Sequence, residues 1–558
     1  MKVYPARISI LCAAVSLAAC ATSAPGVGEL DTAAAVAAVS ATPDAVERLR
    51  MDVAWLADDA REGREAGSRG YVDAAHYVAA RLESVGVEPG ANGEWFQEVP
   101  LRSASPVLEA AAASITTRDG SVHELKHLDD FTIRASMSSE SSRVENAEAV
   151  FIGYGVHAPA FGHDDYANAD LNGKVAVVFS GAPDIFDNES RAHFNSTGLK
   201  YKEASDRGAI GMVMLNSSAS MESLPWDRRI ANPSYTSMSW IWPDGRAETS
   251  GPNIKANLTI HPDKAALLFD GAEQSYETVL TAVDAEGEAP ESFDLAVRIS
   301  MAGGVKVDDV TSPNVVGLIP GADSARADEF VILTGHLDHT GVNQRLVAEG
   351  KDGINNGAMD NAVGIASLLE VARRLTAGEP PARSVLIVAV TAEEKGLLGA
   401  DYFAHFPTIG DGEMVANVNL DMPVLLHDFT DVIAFGAERS SIGPIMERAL
   451  EQTGVSLQPD PIPQLGIFTR SDHYRFVEQG VPSIFLWTGF SNGGEESFWD
   501  FYRNHYHRPS DEITLPIRYD QLARFAEIKH IIADAIANAP ERPRWNEGDF
   551  FGDLFAGE

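Results

Sequence analysis

From Val310 to about Ala537 the chain alternates short, uninterrupted apolar strands with amphipathic helical stretches, and this rhythm limits the possible folds more than any other feature. The strand-like runs are VVGLIPG, FVILTGH, SVLIVAVT, MVANVNLD and VPSIFLWT. The helical ASLLEVARRL lies among them, and a last helix follows near Tyr519–Ala537. Strands that are apolar throughout are buried on both faces. The pattern therefore predicts an α/β fold, a mixed, largely parallel sheet flanked by helices. In such sheets, ligands and catalytic groups gather beyond the carboxyl ends of the strands.

The polar residues sit in that position. FVILTG runs into His336-Leu337-Asp338, SVLIVAVT into Glu393-Glu394, and VANVNL into Asp421. GAMDNA, carrying Asp360, precedes a helix, and Tyr506-His507 comes late, followed by Asp511. Alone, a Glu-Glu pair is usually a solvated loop and a single His a surface or core residue. Five clusters in register with strand ends are much harder to dismiss.

Composition narrows their chemistry. Cys12 and Cys20 are the only two cysteines among 558 residues, so a metal site in the body of the chain must use His, Asp and Glu. Two histidines with several carboxylates form the ligand set of a catalytic zinc pair bridged by one carboxylate. The 43 Lys and Arg against 81 Asp and Glu give a net charge of −38, which argues against nucleic acid and against a polybasic lipid-binding patch.

The N-terminus reads as an export signal. Lys2 and Arg7 precede an apolar run from Ile8 to Ala19, at roughly 12 residues too short to span a bilayer. It ends in Leu17-Ala18-Ala19-Cys20, which resembles a bacterial lipobox. The resemblance implies a signal peptide over 1–19, cleavage before Cys20 and diacylation of its thiol, with 20–43 as a flexible tether. Ala21, by resemblance to lipoprotein sorting signals, points to the outer membrane facing the periplasm. Farther along, Val72, Ala75, Val78, Ala79, Leu82 and Val85 predict a helix over about 70–85. The texture from about 105 to 303 is β-like, with strands near 147–153, 174–181 and 209–216 and a helix at Leu199–Arg207. The acidic, aromatic tail 541–558 has no readable role.

Two other motifs compete. His123-Glu124-Leu125-Lys126-His127 matches the H-E-x-x-H zinc pattern, which works only on a helix. Asp119-Gly120 is a hairpin-type turn just before it, and on a strand the two histidines would stand about 13 Å apart. Gly489-Phe490-Ser491-Asn492-Gly493 matches the G-x-S-x-G nucleophile elbow, with Asp500 and His505 or His507 following in order. Too little chain remains beyond Ser491 for the rest of a serine-hydrolase sheet, and a glycine-rich loop near the pocket is preferred.

The ordered segments GHLDHTG, DGINNGAMDNAVG, TAEEKGLLGA, NVNLDM, RSDHYRF and HYHRPSD resemble the di-zinc aminopeptidases of metallopeptidase clan MH, family twenty-eight. That group also includes glutamate carboxypeptidases and inactive receptors. The resemblance implies a zinc exopeptidase fold over 44–104 plus 304–540, and FIGYGV, YANADLNGKVAVV and DRGAIGMVMLN resemble its inserted protease-associated domain, here 105–303. It implies two zinc ions, with other divalent metals conceivable. His336, Asp360 and Asp421 would hold one, and Asp360, Glu394 and His507 the other, with Asp360 bridging. Asp338 would fix the imidazole of His336, Glu393 would be the general base for attack by a metal-bridged hydroxide, and Tyr506 would donate to the oxyanion. His505 is a rival to His507, and a cis peptide is expected after Asp360. The implied activity is removal of N-terminal residues from short peptides. The alternatives are a glutamate-type carboxypeptidase, for which neither Arg470 nor Arg503 can be assigned to the terminal carboxylate, a single-zinc glutaminyl cyclase, a serine hydrolase using Ser491, and a non-catalytic receptor-like protein.

Overall fold

The computed structural model describes residues 27–557 except 135, 136, 138, 139, 234 and 288. The signal segment 1–19 and Cys20 lie outside the described residues. The described chain opens with helices α1 (Val27–Ala41), α2 (Ala45–Leu56) and α3 (Arg69–Ser84). The tether expected over 20–43 is therefore corrected for Val27–Ala41, which is helical. Its small residues include alanine, the strongest helix former, and Val36 and Val39 are buried. Asp44 caps α2 by accepting from Val46 N, and Ser68 caps α3 by accepting from Tyr71 N.

One sheet unites the rest. Among its strands, in chain order, are β1 (Phe96–Thr116), β2 (Phe131–Ile133), β3 (Ser141–Phe151), β4 (Val175–Phe179), β5 (Gly211–Leu215), β6 (Ser237–Trp240) and β7 (Ala256–Ile260). There follow β8 (Phe293–Ile319), β9 (Glu329–His336), β10 (Ser384–Val390), β11 (Glu413–Leu420), β12 (Asp431–Phe435), β13 (Ser456–Gln458) and β14 (Ser483–Thr488). The spatial order is β13-β12-β14-β11-β9-β10-β8-β3-β4-β5-β7-β2. Strand β9 runs parallel to both neighbours, β10 and β11, so three carboxyl ends open side by side.

Strand β8 ties the two halves together. Its first part pairs with β3, its middle with β1, and its end, Val315–Ile319, with β10. Strands β1 and β8 thus run through the boundaries expected near 104 and 304, with a register shift in their pairing between Ala302 and Gly304. The buried apolar residues nonetheless form separate cores. One gathers β9–β12 and β14 with α2, α3 and the helices α5 (Val363–Ala377) and α7 (Tyr519–Asn538). The other gathers β3, β4, β7 and the first part of β8 with helix α4 (Asn188–Phe194). Between α5 and α7 in sequence, α6 (Leu398–His405) covers the other face of the sheet. The tail is part of the structure. Trp545 and Phe551 are buried, Trp545 donates to Gly480 O at 2.8 Å, and Arg439 bonds both Asp549 and Glu189.

Lys529 on α7 is fully buried, and its ammonium finds no hydrogen-bond acceptor among the described residues. Burial pushes its pKa well below the usual 10.5. Between the two values the unfolded chain carries a proton that the folded chain lacks, so stability rises with pH through that window. Lys529→Met is expected to add about 2 kcal/mol or more at neutral pH and to flatten that rise. Denaturant melts at neutral and alkaline pH check this, and a loss of stability would refute it.

Candidate metal centre

His336 ends β9, Glu393 and Glu394 follow β10, and Asp421 follows β11, so neighbouring strands deliver them to one place. Asp360 arrives from the turn before α5. His336 Nε2 lies 3.0 Å from Asp421 Oδ1 and 3.2 Å from Asp360 Oδ1. On the other side of Asp360, His507 Nε2 lies 3.3 Å from its Oδ2 and 3.1 Å from Glu394 Oε2. The expected ligand residues thus form two groups that meet at Asp360.

The sequence reading missed His339. Its Nδ1 lies 2.7 Å from Glu394 Oε1 and 3.8 Å from Asp360 Oδ2, and its side chain is fully buried. His339, Asp360 and Glu394 have their ligand atoms within 4.8 Å of one another, as do His336, Asp360 and Asp421. The second histidine in His-Leu-Asp-His was the available signal. Among the other candidates, His505 turns away and meets Ser510 Oγ at 2.9 Å. Asp500 accepts from Asn504, so Ser491, Asp500 and His505 form no relay. His123 lies on an extended strand, Val122–Leu125, opposite Ile115. No metal-holding group is found there among the described residues.

Several contacts position the ligands. Asp511 accepts from the amides of Met359 at 2.8 Å and Asp360 at 3.0 Å. The Asp360–Asn361 peptide is cis, and the Asn361 side chain donates to Leu420 O and accepts from Met422 N. Gly357 has φ +61°, and a Cβ there would meet Asp360 O at 2.2 Å, so the turn into Asp360 requires glycine. Asp421 is held through Ser471 Oγ at 2.8 Å, itself bonded by Asn419. Arg64, fully buried, donates to the carbonyls of Leu56, Leu337, Asn356 and Gly357.

Asp338 departs from its expected role. His336 Nδ1 faces the main-chain carbonyl of Asp338 at 3.1 Å, not its carboxylate. The carboxylate spans the gap to the neighbouring strand end and accepts the amides of Glu393 at 3.0 Å and Glu394 at 3.3 Å. It thereby fixes the turn that carries the base and the ligand. Tyr506 stacks on the His507 ring, centroids 3.8 Å apart, and helps to line a hollow of about 50 Å³ beside Asp421. Met422, Ile467, Trp487, Phe498 and Tyr502 give that hollow an apolar wall, with Arg470 also lining it. Arg503 lies over Trp499 instead.

The electrostatics favour divalent cations. Burial pushes the Glu393 carboxyl well above the usual range, Asp472 to about 8 and Asp338 to about 6. Burial disfavours a charged His507, yet Glu394 and Asp360 raise it to about 11. Asp338, Asp360, Glu393, Glu394, Asp421, Asp472 and Asp511 thus surround His336, His339 and His507. Both ring nitrogens of His339 and Glu394 Oε1 are buried without an aligned hydrogen bond. Orphaned nitrogen and oxygen donors in this arrangement suit zinc or a similar borderline cation.

The model of peptidase family M28 matches residues 314–532. This segment is a family M28 peptidase domain. The whole chain is similar in fold to an aminopeptidase from Aneurinibacillus sp. strain AM-1, at 19% identity and a TM-score of 0.50, over 92% of this chain and 97% of that one. A zinc aminopeptidase from Bacillus subtilis aligns at 16% identity and a TM-score of 0.42, over 91% and 97% of the two chains. The matched segment holds His336, His339, Asp360, Glu393, Glu394, Asp421 and His507, whereas Arg64 lies before it.

Proposed function

We propose that this metallo-exopeptidase is a zinc-dependent aminopeptidase that removes the first residue from short peptides. The observation that carries the reading is the pair of His–carboxylate groups meeting at Asp360, with Glu393 beside them. The surplus of carboxylates suits a positively charged α-amino group, and the small apolar hollow beside Asp421 suits one side chain. His336, Asp360 and Asp421 would hold one ion, and Asp360, Glu394 and His507 a second, with His339 as a further donor. When bound, such ions polarise a peptide carbonyl and acidify water. Glu393 would take the proton from the attacking water and return it to the departing amine. The Tyr506 hydroxyl would donate to the oxygen that gains charge. The segment 105–303 would be a protease-associated insertion that walls the cleft. Export and anchoring through Cys20 at the cell envelope complete the proposal.

The test follows hydrolysis of free and N-acetylated aminoacyl anilides before chelation, after it, and after zinc is returned. Cleavage of the free-amine substrates alone, lost to chelator and restored by zinc, is the expected result. Cleavage indifferent to chelator would overturn the metal chemistry. Cleavage confined to the carboxyl ends of peptides would replace the aminopeptidase by a carboxypeptidase.

A further inference from the structure

Residues 105–303 reach the turn of Glu393 and Glu394 through Tyr235. Strand β6 leaves that segment and pairs antiparallel with β1, Ser237 opposite Ala104 and Trp240 opposite Leu101. Trp240 is fully buried, and its indole donates to Asp401 Oδ2 on α6 at 2.7 Å. Its ring meets Tyr402 and Phe406 edge-on, centroids 5.6 and 5.9 Å away. The strand is therefore fastened to the peptidase half by a large aromatic anchor.

That anchor carries Tyr235, two residues before β6, onto the turn of Glu393 and Glu394. The Tyr235 hydroxyl donates to the main-chain carbonyl of Glu394 at 3.3 Å. Lys395 Nζ stands 4.8 Å from the centre of the same ring and is itself paired with Glu65 Oε1 at 2.9 Å. Three distant stretches of sequence meet here, at Glu65, Tyr235 and Lys395. Tyr235 nevertheless stays 47% exposed, leaving part of its aromatic surface open beside the buried Lys395.

The direction of a bound peptide follows from the two sides of the centre. The apolar hollow lies on the Asp421 side and takes the first side chain, so the remainder of the peptide leaves across Glu394. Resting on the aminopeptidase reading above, we propose that Tyr235 binds the residues that follow the scissile bond. Its ring receives the second residue of the peptide, and its hydroxyl and Lys395 hold the ring in place. The segment 105–303 thereby supplies part of the substrate site as well as a wall.

The test uses the full zinc-loaded chain with two substrates that share a first residue, an amino-acid amide and a tripeptide. Tyr235→Ala is expected to lower the ratio of kcat/KM for tripeptide to that for amide by about fivefold to tenfold, mainly through the tripeptide KM. Tyr235→Phe keeps the ring and is expected to keep the ratio within about twofold. Should the alanine variant melt early, Tyr235→Leu reads the same loss with more bulk retained. An unchanged ratio in the alanine and leucine variants overturns the proposal, and so does an equal fall in the phenylalanine variant, which would mean that the hydroxyl merely positions the Glu394 turn. A wild-type protein that hydrolyses neither substrate overturns the aminopeptidase reading and this proposal with it. An active wild type with an unchanged ratio overturns this proposal alone.

Discussion

Glu393→Gln is expected to lower kcat by two to four orders of magnitude, about the range of general acid–base catalysis, while metal content stays as in the wild type. The change is isosteric, and the main-chain amide of residue 393 still donates to Asp338 Oδ1, so the turn keeps its shape. Only the proton-accepting oxygen is lost. Glu394, one residue on, faces His339 and His507 and is brought down to about 2 by these histidines, against burial and Asp360, which act upward. Adjacent carboxylates of one turn therefore differ in role because they differ in neighbours. Zinc per chain and steady-state rates check the prediction together. Wild-type turnover would remove Glu393 from the reaction, and lost metal would make it a ligand.

Arg64→Met is expected to destabilise the fold by about 3–5 kcal/mol and to weaken zinc binding by about tenfold to a hundredfold. The methionine fills most of the volume but takes the guanidinium donor from the buried carbonyls of Leu56, Leu337 and Asn356, and one of two donors from Gly357 O, which keeps the Ala362 amide. Two of those carbonyls flank the metal centre, Leu337 just after His336 and Gly357 in the turn before Asp360. Arg64 therefore fastens the two segments that must converge for His336 and Asp360 to share an ion. Its own side chain touches neither. Denaturant melts and zinc titration test both parts, and a variant as stable as the wild type would refute the account.

Much of this centre was legible because strand ends announce themselves locally. FVILTGH, SVLIVAVT and VANVNL each end an apolar run on a polar cluster, and parallel pairing does the rest. What stayed hidden depends on long-range contact. Arg64 meets Leu337 across 273 residues, and Tyr235 meets Glu394 across 159. No local pattern at either end marks such pairs. Asp511 was visible as a carboxylate after His507, but its hold on the Asp360 amide appears only when the two loops are side by side. Asp338 shows a subtler limit, since its main chain and its carboxylate serve different partners and a motif records only the residue. In α1 the small residues that suggest a loose tether also form helices well, and burial of Val36 and Val39 settles which tendency prevails.

The unbroken run of β8 has a mechanical consequence. A jaw that opens and shuts needs a pliable joint, yet here the two halves share a hydrogen-bonded ladder along β1 and β8, reinforced by Trp240 on Asp401 and by Arg439 between Glu189 and Asp549. Swinging one half would bend that two-stranded ribbon and break the ties of Trp240 to Asp401 and Arg439 to Glu189. The angle between the halves is consequently set by side chains at two separate places as well as by the strands they share.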